Sequence, residues 1–153
     1  MEKNILNNPS AIEFRRDHSD VDWKELETLF SLVDFGGRKG EKLRRAFLNS
    51  QAVCYAYESQ RLVSAARAIS DGEYHAVIYD VAVHPDYQGK GVGGLVMLEL
   101  LEQLPVWRVM LAASGDVQPF YKKLGFSSYP DVLARLNWDN LYDNPNAVDQ
   151  SGG

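Results

Sequence analysis

Internal disulfides are excluded at once, because the chain carries a single cysteine, Cys54; that usage suits a reducing compartment. Long apolar runs are lacking too. No stretch approaches the ~20 residues that a bilayer span requires, and the start Met1-Glu2-Lys3-Asn4 has none of the build of a secretory signal. A cytosolic protein with no membrane partner is expected. Basic charge is in deficit: 16 Lys and Arg stand against 21 Asp and Glu, a net charge of −5, the wrong sign for a nucleic-acid surface. The three histidines, His18, His75 and His84, lack ligand spacing of the H-E-x-x-H kind, so no metal is implied. Cys54, in a strand-like run without a partnering motif, reads as a small buried hydrophobe rather than a nucleophile. Repeats, low-complexity tracts and linkers are also missing. The 153 residues suffice for one core and not for two.

What the chain does have is a segment built to hold an anion. Val81-Ala82-Val83-His84-Pro85-Asp86-Tyr87-Gln88-Gly89-Lys90-Gly91-Val92-Gly93-Gly94 runs from an apolar strand, through a proline turn, into glycines that open a helix. Glycine admits positive φ and leaves no Cβ in a ligand's way, so successive N–H groups can turn into one concavity. The first-turn N–H groups of the helix have no intrahelical partner, and a negative group there gains typically ~0.3–1 kcal/mol. Val92, Leu95, Val96, Leu98 and Leu101 mark the helix and Pro105 its end. Gly89 to Gly94 also fits the dinucleotide pattern G-x-G-x-x-G, with Asp116 as a ribose-binding acid. In that fold, however, the first glycine closely follows a strand of a parallel sheet, whereas here Pro85 and its neighbours intervene and the upstream strands read as antiparallel. A Walker A loop fails, because Gly89-Lys90 is followed by glycine. A plain strand-to-helix turn without a ligand is the remaining alternative.

Around this segment the pattern is that of a mixed sheet. Residues 11–16 alternate as a first strand. Asp20 precedes a helix carrying Trp23, Leu26, Phe30 and Val33 on one face, and a second helix with Leu43, Ala46 and Phe47 ends near Asn49-Ser50. Strands are expected over 52–57, 62–69 and 75–83, with turns at Ser59-Gln60 and Asp71-Gly72. After the glycine loop and its helix come a strand over 107–112, a helix over 117–124 and a last strand over 132–138. Early antiparallel strands thus pass into a βαβα half. We expect one domain over 1–138 and an irregular polar tail over 139–153; a tail docked across a neighbouring subunit of a homodimer is the alternative.

Val83-x-Pro85-x-x-Gln88-x-x-Gly91-x-Gly93, followed by Pro119-Phe120-Tyr121-Lys122-Lys123-Leu124-Gly125-Phe126, resembles the GNAT superfamily of acetyl-CoA-dependent N-acetyltransferases. Two motifs in order make the likeness specific, and it extends from Ala11 to Trp138. Asn49-Ser50, Ala66-Arg67-Ala68, Ser70-Asp71-Gly72 and Asp80-Val81 are similar to a bacterial and plastid-type group within it. The resemblance implies an α/β (α+β) fold, with a mixed, mostly antiparallel central sheet and helices on both faces. It also implies transfer of acetyl from acetyl-CoA to a primary amine, on a small molecule or a peptide, by direct attack in a ternary complex. Coenzyme A would be held by Val81, Ala82, Val83, Gln88, Gly89, Lys90, Gly91, Val92, Gly93 and Gly94. The asparagine that many members place after the next strand is replaced here by Ala112-Ala113-Ser114-Gly115-Asp116, where Ser114 or Asp116 could substitute. An acyl-CoA-binding regulatory domain without turnover is a rival, and an NAD-binding oxidoreductase a more distant one.

If acetyl-CoA binds there, the chemistry sets three demands. A lysine-like amine is free base in only about one molecule in a thousand at pH 7, so a proton must leave. Strand alternation puts Asp80, Ala82 and His84 on one face, which makes Asp80 the candidate base; Glu73, Asp116 and His75 are other candidates. The structural alternative is that Asp80 pairs with an arginine such as Arg67. Charge growing on the thioester oxygen needs fixed donors, and main-chain N–H groups of 81–83 are implied. The leaving thiolate can take a proton from Tyr121, the residue at the family's tyrosine position, unless Tyr121, like Phe120, only packs its helix on the sheet. Lys122 and Lys123 meet either cofactor phosphates or solvent. For the acceptor pocket the resemblance nominates Trp23, Phe30, Phe35 and Arg38, with Trp23 and Phe30 also suited to the core.

Overall fold

The computed structural model describes residues 11–33, 35 and 37–137. Five strands form one sheet in sequence order, β1 (Ile12–Arg15), β2 (Ala52–Glu58), β3 (Arg61–Ser70), β4 (His75–Val83) and β5 (Arg108–Leu111). The first four pair antiparallel, and β5 joins β4 in parallel. Helices α1 (Trp23–Leu32) and α2 (Gly40–Leu48) precede β2, α3 (Val92–Leu101) links β4 to β5, and the short α4 (Gln118–Lys122) follows β5. The mixed, mostly antiparallel sheet with helices on both faces is the expected architecture.

Two apolar layers hold it. On one face Leu26, Leu29 and Phe30 of α1 and Leu43 and Phe47 of α2 pack on Val53, Tyr55, Leu62, Ala65 and Ala82. On the other, Val92, Val96, Met97 and Leu100 of α3 pack on Cys54, Ala56, Val63, Ala66, Ala76 and Ile78. The boundaries have local causes. The Asp22 carboxylate accepts from the N–H groups of Lys24 and Glu25, so α1 is capped at Asp22, two positions beyond the Asp20 read from the sequence. Ser59 and Gln60 both take positive φ, 47° and 68°, which closes the two-residue β2–β3 hairpin.

Two features depart from expectation. The strand expected over 132–138 is absent from its described part: 132–137 has no helix or strand, and Val132, Leu133 and Leu136 are 53, 97 and 62 % exposed. Alternation alone does not make a strand without a ladder partner and a surface to cover. Trp138 and the tail lie outside the described residues. The second departure is a bulge in β4. Arg67 pairs with Tyr79 and Ala65 with Ala82, so two residues, Asp80 and Val81, oppose Ala66, and Asp80 sits at φ 55°. The bulge inverts side-chain parity: Ala76 and Ile78 before it and Val81 and Val83 after it all face the α3 layer, while Ala82 faces α1 and α2.

Candidate active site

The β4–β5 pairing ends at Ile78 and Leu111. Beyond it β4 runs on to Val83 while β5 stops, and a cavity of about 1100 Å³ opens between them, walled by the start of α3 and by α4. The Ser64 hydroxyl donates to the Ala82 carbonyl, and the Gln88 amide donates to the Val83 carbonyl at 3.0 Å. Adjacent peptide groups therefore point to opposite edges, and by strand alternation the Val81 and Val83 amides face away from β3, toward the cavity side.

At the mouth of this splay lies the glycine loop. His84 Nδ1 accepts from Asp86 N–H and caps a 3-10 turn over Pro85–Tyr87. Gly89 at φ 75° and Gly91 at φ 87° then swing the chain into α3, whose N-cap, Gly91, offers no side-chain hydrogen bond. Its first-turn N–H groups are free for an outside acceptor. A Cβ on Gly93 would lie 3.2 Å from Val83 Cγ2 and 3.3 Å from Phe120 Cζ, whereas one on Gly94 would meet nothing within 4 Å. Gly93 thus permits helix-to-strand contact, and Gly94 keeps the cavity open beside the helix start.

Tyr121 comes from α4, its ring at 4.9 Å from Phe120 and 6.0 Å from Phe126. Burial raises its phenol above the usual range, so the proton stays on. Ser114 and Asp116 act together: the Ser114 hydroxyl donates to Asp116 at 2.5 Å, and this bond, first among several, holds the Asp116 carboxyl below its usual range. The Ser114 carbonyl also receives the N–H groups of Val117 and Gln118, which starts the turn into α4.

At the other end the cavity is bounded by Val33, Phe35, Arg38, Tyr79 and Asp80. Asp80 Oδ2 accepts from Arg67 Nε at 2.7 Å and Oδ1 from Arg38 Nε at 3.1 Å. The carboxylate is clamped between two guanidiniums, an arrangement of charge-assisted bonds that fixes its position.

The structure brings Asp80, Val81, Val83, Gln88, Gly89, Gly91, Gly93, Gly94, Ser114, Asp116 and Tyr121 to one cavity. Three expected cofactor residues lie outside its lining. Ala82 is buried against α1 and α2, Val92 is buried in the α3 layer, and Lys90 holds its ammonium 5.7 Å from the Tyr87 ring. Of the acceptor candidates, Phe35 and Arg38 reach the cavity; Phe30 is core, and Trp23 packs beside it. His75 opens β4, about 16 Å from Asp80 at the rise of a strand, and Glu73 lies in the bend before it. Lys123 lines the cavity and Lys122 does not. Cys54 is fully buried, its thiol pushed up to about 12 by desolvation, which makes it inert. Missed from the sequence were Tyr79, which alternates with the buried Ile78 and is exposed, and the Arg38 clamp; a lone arginine in a glycine-rich loop carried no signal of its target.

The model described as the acetyltransferase (GNAT) family matches residues 20–126. The chain belongs to the GNAT family. A GNAT relative, the uncharacterized N-acetyltransferase ycf52 of Pyropia yezoensis, is 36% identical over 128 residues, covering 79% of this chain and 74% of its own length. The chloroplastic serotonin N-acetyltransferase 2 of Oryza sativa subsp. japonica is 37% identical over 126 residues, covering 78% of this chain and 63% of itself. In three dimensions a putative acetyltransferase from Deinococcus radiodurans R1 superposes with a TM-score of 0.74 at 22% identity, over 90% of this chain and 96% of that one, and shares the fold. As a GNAT chain, this protein is an N-acetyltransferase. Among the described residues, no helix is long and apolar enough to cross a membrane, and no cluster of His, Cys, Asp and Glu could hold a metal ion.

Proposed function

We propose that the protein moves an acetyl group from acetyl-CoA to a primary amine by direct attack within a ternary complex. One observation carries the reading: the uncapped start of α3, the splayed end of β4 and Tyr121 all border a single cavity. The residues suit coenzyme A, since Gly89 and Gly91 at positive φ and the open flank of Gly94 leave room for a diphosphate against main-chain N–H groups. Bound there, acetyl-CoA would supply an activated acyl group. Gln88 braces the loop to the strand, and the amides of Val81 and Val83 are the donors for charge developing on the carbonyl oxygen. Tyr121, kept protonated by burial, is placed to hand a proton to the departing sulfur. Asp80, at the acceptor end, is the base to which the amine's proton passes, directly or through water, before attack.

The acceptor in this reading carries an apolar or aromatic body, because Phe35, Tyr79 and Val33 wall that end of the cavity. The name of the rice relative agrees with such a body. Cytosolic residence and a homodimer are further parts of the proposal, read respectively by fractionation and by light scattering. Two measurements test the reaction: calorimetry with acetyl-CoA, and thiol release over a panel of amines with mass-spectrometric detection of the product. Binding without amine-dependent release would instead support an acyl-CoA sensor.

A further inference from the structure

The two arginines on Asp80 are unequal. Arg67 is built in. It stands on β3 with its side chain 12 % exposed, 6.0 Å from the Phe47 ring and 5.5 Å from the Tyr79 ring, reaches Ser50 through Nη1, and makes the shorter bond, 2.7 Å. Arg38 is 34 % exposed, extends from the α1–α2 connection and makes the longer bond, 3.1 Å, to the other oxygen. Arg38 and Asp80 line the cavity together with Phe35 and Tyr79, and Arg67 is not part of that lining. Asp80 itself is 3 % exposed. A carboxylate buried to that degree needs cations facing it. One of its two cations is enclosed by the fold, and the other can leave into solvent.

We propose that Arg38 stands on Asp80 Oδ1 where the ammonium of the acceptor comes to sit, so that the acceptor binds by cation exchange. The amine arrives protonated, takes Oδ1, and releases the Arg38 guanidinium toward the opening; Arg67 keeps Oδ2. The charge facing the carboxylate is the same before and after, which lets a cation enter a site already holding two arginines. This rests on the acetyl-transfer reading and names its substrate class: a protonated primary alkylamine whose apolar body lies against Phe35 and Tyr79. Arg38 is a specificity-determining residue here, because it sets how strongly a cation must compete.

The test is Arg38→Met, which keeps the stem and removes the charge. Thiol release is followed with the best of three probe amines: tryptamine, a lysine-containing peptide and glucosamine. The KM for the amine is expected to fall about two- to five-fold, the worth of an ion pair with one partly exposed partner, while the KM for acetyl-CoA does not follow it. Guanidinium chloride, below denaturing concentrations, is expected to compete with the amine more strongly in Arg38→Met than in the parent. Arg38→Lys, which restores a cation, is expected to return the amine KM toward the parent value. Arg38→Gln serves if the methionine variant does not fold. An amine KM that is unchanged or raised in a folded variant overturns the proposal, a rise meaning that Arg38 grips the acceptor directly. If the parent releases no thiol with any amine, the acetyl-transfer reading has failed first and the exchange falls with it.

Discussion

Replacing Gly94 with alanine separates cofactor binding from folding. Gly94 lies in the first turn of α3, and a Cβ placed there meets nothing within 4 Å. The substitution therefore removes backbone freedom from the unfolded chain without a clash, worth roughly 0.5–1 kcal/mol, or about 1–4 °C in Tm for a domain of this size. The same methyl projects into the space assigned to the diphosphate. Displacing a phosphate from one charge-assisted N–H bond costs about 1.5–3 kcal/mol, or roughly 10- to 150-fold in the KM for acetyl-CoA. Gly93→Ala is the contrasting case. Its Cβ would press on Val83 at 3.2 Å and Phe120 at 3.3 Å, and overpacking of that kind costs typically ~1–3 kcal/mol of stability. Differential scanning fluorimetry with steady-state kinetics on both variants reads the two effects. A Gly94→Ala protein with raised Tm and unaltered KM for acetyl-CoA would refute the placement of the diphosphate at the start of α3.

Tyr121→Phe is expected to lower kcat by about 10²-fold or less, the low end of proton-transfer catalysis, because a thiolate leaves tolerably unaided. Burial raises the Tyr121 phenol, so the parent's basic limb should lie above the ordinary tyrosine value of about 10 and vanish in the variant's pH profile. Asp80→Asn leaves the enclosed Arg67 facing a neutral amide, and about 3–5 kcal/mol should be lost in urea unfolding; Arg67→Met on that background should recover part of it, as a double-mutant cycle would show. His18, whose Nδ1 lies 2.8 Å from the Tyr55 hydroxyl, is held below the usual imidazole range by burial. The unfolded chain then binds more protons, so stability rises with pH. The contribution is full above about pH 6.5 and is lost as the pH falls through the depressed value; Tm against pH should flatten in His18→Gln.

The helix after the glycine loop was legible because its apolar residues recur at helical spacing between Gly91 and Pro105, and the cavity's upper edge followed from the same glycines. The rest was hidden for separate reasons. Alternate residues of a strand, and successive residues of a helix, point in different directions; hence within 81–94 the side chains of Ala82 and Val92 are core, and only the main-chain N–H of Val92 stands in the first turn of α3. The bulge was not legible, since Asp80 carries no glycine-like mark of positive φ. The Arg38 contact spans 42 positions in sequence, and nothing local to either residue announces it. At 132–137 the alternation was real, but its pairing partner was only assumed.

The extra residue in β4 gives the strand a carboxylate on the α1 and α2 side while Ala76 and Ile78 before it and Val81 and Val83 after it stay on the α3 side. Deleting Asp80 would restore a plain ladder. With Val81 then opposite Ala66, Val81 and Val83 would keep their places beneath α3 and Ala82 its place beneath α1, but the carboxylate that Arg67 faces would be gone. Loss of this one residue therefore strips the acceptor end of its carboxylate while the apolar layers stay in register.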